Sequence, residues 1–135
     1  GGVEVILLDT HVWVWWLAQP EQLTKSARQA VQRELATGSV GISSFSVWEL
    51  ALLVQRKRLD LSVDLAEWVV ETERIKGITF HPVSNSIALQ SVNLPGAFHP
   101  DPADRILVAT ARQLGATFVT GDAKIHRYPH VKTLW

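Results

Sequence analysis

Residues 5–11, Val-Ile-Leu-Leu-Asp-Thr-His, decide how this chain is expected to fold. The run at residues 3–8 is too apolar for a strand with one wet face, which is typical of a central strand covered on both sides of a parallel sheet. Asp9 ends the run and places an ionisable group directly after a buried strand. Because such a group is costly without a partner, Asp9 either caps the next helix or belongs to a functional site.

Three further acids stand at corresponding places along the chain. Asp122 closes the segment Thr-Phe-Val-Thr-Gly, and Glu49 and Asp104 lie in the opening turns of two expected helices. Ligands of open parallel sheets bind beyond the carboxyl ends of the strands, where we expect all four acids to converge. Two unit charges about 4 Å apart repel by roughly 4 kcal/mol at an effective dielectric of about 20, so the cluster needs a cation, protonation or wide separation. The pattern indicates a metal-dependent phosphodiesterase site.

Strands alternate with helices along the rest of the chain. Strands are expected at residues 3–8, 40–43, 78–83, 117–120 and 131–134. Helices are expected at 12–18, 47–59, 64–76, 86–92 and 103–114, with a further helix that Thr24 caps and Gly38 ends. Residues 94–103, rich in Pro and Gly, form the one obvious irregular loop. The alternation predicts an α/β fold, a three-layer α/β/α sandwich around a central parallel sheet with right-handed crossovers.

The composition favours a single domain. The chain has 135 residues, 47% of them hydrophobic, and no cysteine, so neither disulfides nor thiolate zinc sites are available. We expect one domain over residues 3–135, with Gly1-Gly2 a processing or cloning scar because the sequence contains no methionine. No apolar stretch reaches the roughly 20 residues that span a bilayer, so we expect a soluble protein. The absence of cysteine permits a reducing compartment, and we expect the cytoplasm.

The charge balance gives a weaker indication of the substrate. The net charge is zero, but setting the four candidate acids aside leaves 13 basic residues against 9 acidic ones. A modest basic rim around an acidic centre suits a phosphodiester polymer held over metal ions.

Four short motifs contain the four acids. They are Leu-Leu-Asp-Thr-His at 7–11, Ser-Phe-Ser-Val-Trp-Glu-Leu-Ala at 44–51, His-Pro-Asp-Pro-Ala-Asp-Arg at 99–105 and Val-Thr-Gly-Asp at 119–122. Together they resemble the motifs of the PIN-domain nucleases, and most closely those of VapC-type toxins from bacterial toxin–antitoxin pairs. The resemblance runs from Val5 to Trp135 and includes the Tyr128-Pro129 and Leu134-Trp135 ending. Each motif is weak alone, but four in this order and spacing are specific.

The resemblance implies roles for the acids and for partners. Asp9, Glu49 and Asp104 would form an acidic triad, with Asp122 as a fourth and more variable acid. In PIN domains these acids bind Mg²⁺ or Mn²⁺ and activate a water that cleaves an RNA phosphodiester bond. Hard divalent ions independently favour oxygen ligands, and Mg²⁺ usually takes one or two carboxylates and keeps waters in its other positions. The resemblance also implies a homodimer and a small antitoxin that blocks the site.

Each acid also has a purely structural explanation. Ser46 and Glu49 have the spacing of a capping box, and Asp101 and Asp104 fit the cap and first turn of a helix with Pro at its first position. Asp122 in Thr-Gly-Asp-Ala suits a turn or a cap. The combination of four acids, rather than any single one, supports the site.

Polar residues beside the acids are weaker candidates. Thr10, Ser44 and Thr120 could orient a water or a carboxylate, although hydroxyls at such junctions are usually caps. Arg105 could contact a phosphate, but we expect it to pair with a neighbouring carboxylate.

The histidines and tryptophans carry less information about chemistry. His11 and His99 lack the spacing of a zinc site, and His99 is expected to belong to the loop before its helix. Most of the six tryptophans lie on apolar helix faces, which favours core packing over base stacking.

Two hydrophobic helices predict an interface. The helix 12–18 and the helix from Val47 include Trp13, Trp15, Trp16 and Trp48, more apolar surface than one small sheet is expected to cover. Exposed apolar patches usually mark interfaces. We therefore expect a homodimer, and an antitoxin segment that docks on these helices and offers a basic side chain to the acids.

Two other functions stay open at this point. An aspartyl-nucleophile phosphatase would also place Asp at the end of its first strand, but it needs a second Asp where this chain has His11. A PIN-like module could instead bind RNA or a protein without cleaving, and a catalytic test in Mg²⁺ or Mn²⁺ separates these cases. If RNA is the substrate, single-stranded loops are favoured because their unstacked bases can be read.

Overall fold

A computed structural model describes residues 4–135 and contains five strands and seven α-helices in that part of the chain. The strands are β1 (Ile6–Leu8), β2 (Val40–Ser43), β3 (Ile78–His81), β4 (Thr117–Val119) and β5 (Thr133–Leu134). The helices are α1 (Thr10–Ala18), α2 (Lys25–Ala36), α3 (Ser44–Gln55), α4 (Leu65–Glu73), α5 (Asn85–Val92), α6 (Pro102–Leu114) and α7 (Ala123–His126). A 3₁₀ turn at Pro20–Gln22 separates α1 from α2.

The five strands form one parallel sheet in the order β3-β2-β1-β4-β5. In the central strand, Leu7 lies beside Gly41 of β2 and Phe118 of β4. Leu8 packs into a buried cluster supplied by α1 to α4, whereas Leu7 packs on the opposite face with residues of α5 to α7. Because neighbouring residues of β1 enter different cores, both faces of the sheet are covered. The predicted three-layer sandwich is confirmed.

Helix starts differ from the expected ones for reasons visible in the caps. Asp9 is the N-cap of α1, so Thr10, which the sequence allowed as a cap, is the first helical residue. Helix α3 begins at Ser44 rather than at residue 47, because Ser43 at the end of β2 accepts a hydrogen bond from the Phe45 amide at 3.1 Å. The strand therefore passes into the helix without a loop, and no Gly or Pro marks the change.

Several other boundaries also move. Strand β1 begins at residue 6, and residue 3 lies outside the described residues. Strands β3, β4 and β5 are shorter than the predicted 78–83, 117–120 and 131–134, and α4 covers 65–73 rather than 64–76. Helices α5 and α6 start one residue earlier than predicted, at 85 and 102. Gly115 ends α6 as expected, with a left-handed φ of 62° that favours glycine. The four-residue α7 was not predicted.

Core packing accounts for part of the expected hydrophobic patch. Trp13 is fully buried and donates a hydrogen bond from Nε1 to Oγ1 of Thr72 at 3.2 Å. Trp68 is also buried, whereas Trp15 and Trp16 are partly buried and Trp48 is 53% exposed. The patch that stays exposed is thus smaller than the sequence suggested. Over residues 4–135, no helix combines the length and apolar character needed to cross a membrane.

Candidate active site

The fold brings the four predicted acids to one edge of the sheet. Asp9 follows the central strand β1, and Asp122 lies two residues beyond Thr120 at the end of the neighbouring strand β4. Glu49 and Asp104 reach the same edge from α3 and α6. All four line a cavity of about 520 Å³, here called the acidic pocket, and its other residues are His11, Val12, Trp15, Asp101, Gly121 and Trp135. The convergence follows from the strand order, and the roles of the acids as metal ligands stay a prediction.

Asp9 is held by both of its carboxylate oxygens. Oδ1 accepts a hydrogen bond from the Thr10 amide at 2.8 Å, and Oδ2 accepts one from the Thr120 hydroxyl at 2.7 Å. Burial raises the pKa of Asp9, and the charge of Asp122 acts in the same direction, while the two hydrogen bonds oppose the shift. Asp9 therefore serves as a helix cap and also places a partly buried carboxyl group in the pocket.

Glu49 is positioned by a hydroxyl from another helix. The Thr10 hydroxyl donates to Oε1 of Glu49 at 2.7 Å, and its oxygen lies 2.8 Å from Oγ of Ser46. Since Ser43 caps α3, the capping-box interpretation of Glu49 is wrong. Burial is the main cause that raises the pKa of Glu49 to about 7, opposed by the Thr10 bond and increased by nearby negative charges.

Asp104 and Asp101 divide two tasks at the start of α6. Asp101 accepts a hydrogen bond from the Asp104 amide at 3.1 Å, so Asp101 is the cap and the carboxyl group of Asp104, which does not cap the helix, lines the pocket. Burial is again the main cause that raises the pKa of Asp104, to about 7. The charges of Asp101, Asp9, Asp122 and Glu49 all add to this rise, which shows that the acids repel one another.

Asp122 has the structural role that the sequence allowed. Its Oδ1 accepts a hydrogen bond from the Lys124 amide at 2.8 Å and so caps α7. Its own amide donates to Oγ1 of Thr120 at 3.1 Å, which couples it to the hydroxyl that holds Asp9. The side chain is partly buried and still lines the acidic pocket. Asp122 therefore caps a helix and lines the pocket with the same side chain.

The hydroxyl candidates separate into two groups. Thr10 and Thr120 each donate to a pocket carboxylate, so they orient acids rather than only capping helices. Ser44 is exposed on the first turn of α3, and no such contact is found for it in the described residues. Ser46, considered only as a cap, instead lies beside Thr10.

Among residues 4–135, Arg105 pairs with no carboxylate, so that expectation is wrong. Its guanidinium donates to the carbonyl oxygens of Ser91 and Val92 at 2.8 and 3.2 Å, at the end of α5. It also donates to those of Phe98 and His99 at 3.1 and 3.4 Å, in the loop before α6. Arg105 therefore fixes the loop that leads to Asp101 and Asp104.

His99 belongs to the loop before α6, as expected, and also contacts an acid. Its Nε2 lies 3.2 Å from Oδ2 of Asp104, without the alignment of a hydrogen bond. His11 is exposed at the start of α1 and lines the acidic pocket.

The donor set of the pocket suits a hard divalent ion. Every charged acceptor is a carboxylate oxygen, and burial, together with the negative charges nearby, raises the pKa of Glu49 and Asp104. Within the described range, no three acidic or histidine side chains are close enough to grip one ion together. Mg²⁺ commonly binds through one or two carboxylates and keeps several waters, so its binding does not require three side chains at bonding distance.

The sequence did not identify five pocket residues as parts of the acidic site. Asp101 was considered only as a cap, Val12 and Trp15 only as parts of a hydrophobic helix, and Gly121 and Trp135 were noted only within the motifs. Trp135 follows β5, whose position beside β4 is set by long-range pairing that no local pattern reveals. The Gly that separates Thr120 from Asp122 was the one local signal for a close approach at this point.

Comparisons with known proteins agree with this architecture. The family model described as PIN domain matches residues 6–131. The chain is 35% identical over 133 residues to Ribonuclease VapC22 of Mycobacterium tuberculosis, covering 96% of this chain and 98% of that protein. It is similar in structure to VapBC2 from Rickettsia felis bound to a DNA fragment from their promoter, with a TM-score of 0.71, 16% identity and 96% and 97% of the two chains covered. A toxin–antitoxin complex from Klebsiella pneumoniae has a TM-score of 0.62 at 18% identity, with 93% and 94% covered. At these identities the two structures support the fold alone.

Proposed function

This chain belongs to the PIN-domain family as a VapC-type protein, and on that premise we propose that it is a Mg²⁺- or Mn²⁺-dependent endoribonuclease, the toxin of a toxin–antitoxin pair. The observation that carries the proposal is the acidic pocket, where four carboxyl groups from different segments meet Asp101 at the sheet edge. Carboxylates held this close repel one another, which costs stability. Carboxyl groups with shifted pKa values that are gathered in a cleft are typical of functional sites.

The proposed metal-binding residues are the four predicted acids, Asp9, Glu49, Asp104 and Asp122, with one or two carboxylates bound to the ion directly and the others holding it through its water molecules. A bound divalent ion would lower the pKa of a water molecule and stabilise charge on the reacting phosphate oxygens. The protein's own contribution is to hold the acids in place. Thr120 fixes one oxygen of Asp9 and Thr10 fixes one oxygen of Glu49. Because metal ligands must be deprotonated, Glu49 and Asp104 would release protons when the ion binds near neutral pH.

RNA is the proposed substrate because a relative that matches nearly the whole chain is named a ribonuclease. Hydrolysis would add water across a phosphodiester bond and leave two RNA fragments. Single-stranded segments are favoured, since the grooves of A-form duplexes give side chains poor access to base edges. We propose that the protein acts in the cytoplasm on such RNA.

A small antitoxin and a second copy of the chain are the proposed partners. The exposed apolar side chains Leu17 on α1 and Trp48 on α3, 36% and 53% exposed, support docking on these helices. An antitoxin segment with a basic side chain would be attracted by the acidic pocket. Light scattering over a range of protein concentrations tests the dimer, and a strictly monomeric species at high micromolar concentration would contradict it.

The decisive experiment measures cleavage of fluorescently labelled single-stranded RNA with added Mg²⁺, with Mn²⁺ or with excess EDTA. We expect cleavage with either ion and none with EDTA. Asp9→Asn should lower the rate by orders of magnitude, because it removes a charge from the pocket at nearly constant shape, and Asn also caps helices well. Asp64→Asn is the matched control, since Asp64 is exposed and its side chain makes no cap hydrogen bond.

Three outcomes would contradict the proposal. Full activity in Asp9→Asn, or undiminished activity in EDTA, excludes the proposed chemistry. RNA binding without cleavage under any of these conditions would instead identify a binding module that lacks catalysis.

A further inference from the structure

One side of the acidic pocket is formed by aromatic rings. His11 and Trp15 lie on α1 with ring centroids 5.8 Å apart, and Trp15 lies 6.0 Å from Trp135, which follows β5. We call these three side chains the aromatic wall. All three line the same cavity as the carboxylates, so the wall and the acids face a shared space.

The positions of these rings follow from the sequence. His11 and Trp15 are four residues apart on α1 and therefore share a face of that helix. Asp9 caps this helix, so the wall begins only two residues after a pocket acid. Trp15 and Trp135 are partly buried against the core, which leaves part of each indole open to the cavity.

Gly121 makes room for Trp135. A Cβ atom at Gly121 would lie 3.0 Å from both Cε2 and Cζ2 of the Trp135 indole, closer than ordinary contacts allow. The glycine stands directly before Asp122 and lines the pocket itself. The indole therefore packs flush against the segment that carries one of the acids, which ties the position of the ring to that of the carboxylate.

We propose that the aromatic wall stacks an unpaired base of the RNA beside the bond that is cleaved, an inference that rests on the proposed function. Stacking on an aromatic face is available to every base and holds single strands without reading hydrogen bonds. A phosphate that approaches several carboxylates meets repulsion, and stacking of the adjoining base offsets part of that cost. The cavity volume of about 520 Å³ lies within the range of roughly 300–1,000 Å³ that is typical of small-molecule sites, which suits one nucleotide.

The test is a binding measurement in which a base and an indole are removed separately and together. The probe is a short fluorescein-labelled single-stranded RNA of mixed sequence, together with versions that carry one abasic nucleotide at each position in turn. Fluorescence anisotropy is measured with Mg²⁺ in the Asp9→Asn background, which suppresses cleavage. Trp15→Leu and Trp135→Leu keep apolar volume against the core and remove the stacking face.

We expect each leucine variant to bind the intact RNA at least about fivefold more weakly. RNA that is abasic at one position should lose a similar amount of affinity for the Asp9→Asn parent. The same RNA should bind the leucine variant hardly more weakly than intact RNA does, because both changes remove the same contact. Trp15→Phe should retain most of the binding. Trp16→Leu is the matched control, since Trp16 lies on the same helix, is partly buried and is absent from the pocket lining.

Additive losses at every abasic position, or equal losses in Trp16→Leu and Trp15→Leu, would overturn the inference. Normal RNA binding in both leucine variants, with weaker binding of an antitoxin peptide, would assign the wall to the protein partner and also overturn it. Gly121→Ala gives a second readout if a leucine variant unfolds, because the added Cβ atom displaces the Trp135 ring without deleting it. This variant should bind intact RNA more weakly. It should bind the RNA that lacks the stacked base as well as the parent does. If the protein without substitutions fails to cleave RNA with Mg²⁺ or Mn²⁺ while base-dependent binding is kept, the proposed function alone is refuted.

Discussion

The two edges of the sheet enclose cavities of nearly equal size and opposite chemistry. The acidic pocket at the carboxyl ends of the strands measures about 520 Å³, and a cavity at the amino ends of β4 and β5 measures about 510 Å³. The second cavity, here called the amino-end cavity, is lined by Gln90, Ala111, Arg112, Gln113, Gly115, Ala116, His130, Val131 and Lys132. Volume therefore does not distinguish them, and the difference lies in how their polar groups are satisfied.

Gln90, Gln113 and Arg112 of the amino-end cavity have hydrogen-bond partners within the protein. Gln90 donates from Nε2 to Oε1 of Gln113 at 3.0 Å, and the Ser86 hydroxyl donates to the same oxygen at 2.8 Å. Arg112 donates to the backbone carbonyl of His130. These exposed polar groups therefore have hydrogen-bond partners within the protein, which is typical of a surface with a structural role.

The acidic pocket instead gathers groups of like charge. Burial and repulsion raise the pKa of Glu49 and Asp104 to about 7, and the hydroxyl of Thr10 offsets only part of that rise for Glu49. Ionised Glu49 and Asp104 therefore reduce the stability of the fold at this edge, although Asp9 and Asp122 also cap helices there. Stability given up at one place and kept elsewhere is typical of functional sites.

The largest expected effect concerns Glu49→Gln. This change should abolish RNA cleavage, because it removes a proposed ligand, while the melting temperature in EDTA stays unchanged or rises, because it relieves repulsion. Lys132→Gln in the amino-end cavity removes one charge from an exposed side chain and should change neither quantity. Thermal melting and the cleavage assay, run on both variants, check the contrast. A markedly lower melting temperature with preserved cleavage would mean that Glu49 has a structural role only.

A smaller effect is expected from pH in the metal-free protein. The folded-state pKa values of Glu49 and Asp104, about 7, lie above their ordinary values of 4.5 and 3.8. An acid with a raised pKa contributes most to stability below its unfolded pKa, and this contribution is lost as the pH rises through about 7. The melting temperature in EDTA should therefore fall as the pH rises from about 4 to about 8, less so in Glu49→Gln, and added Mn²⁺ should oppose the fall. If the melting temperature depends on pH in the same way in Glu49→Gln and in the parent, Glu49 does not cause the fall.

The sequence predicted the sandwich and the convergence of the acids because both depend on local signals. The apolar run before Asp9 and the segment before Asp122 identify strand ends, and the edge at which parallel strands end is shared. Arg105 was misread because its partners are carbonyl groups of α5 and of a loop, which carry no side-chain signature. Helix α7 has four residues, too few for a periodic pattern. The place of Trp135 beside the acidic pocket could not be predicted, because it depends on the pairing of β5 with β4, which only the folded chain defines.

The smallest effect concerns a hydroxyl that acts through another residue. Thr10→Val keeps the shape of a buried side chain and removes the hydrogen bond to Oε1 of Glu49, 2.7 Å long. Because that bond lowers the pKa of Glu49, its loss should raise the pKa further and leave less carboxylate at neutral pH. Hydrogen bonds to charged groups contribute enough that a roughly tenfold loss of kcat near neutral pH is expected, with recovery as the pH rises.

Thr110→Val is the matched control for that change. Thr110 is also buried in a helix and its hydroxyl donates to the Ile106 carbonyl at 2.7 Å, so the substitution removes one hydrogen bond that is made to the backbone and not to a pocket acid. Its pH profile should coincide with that of the parent, and only its stability should change. A uniform loss of activity across the pH range in Thr10→Val would show that the hydroxyl supports the fold without tuning Glu49. A pH profile that shifts in Thr10→Val alone would instead connect the charge state of Glu49 to a single hydroxyl on α1. In the amino-end cavity, Gln90 and Gln113 bond to each other, and no such dependence on pH is expected there.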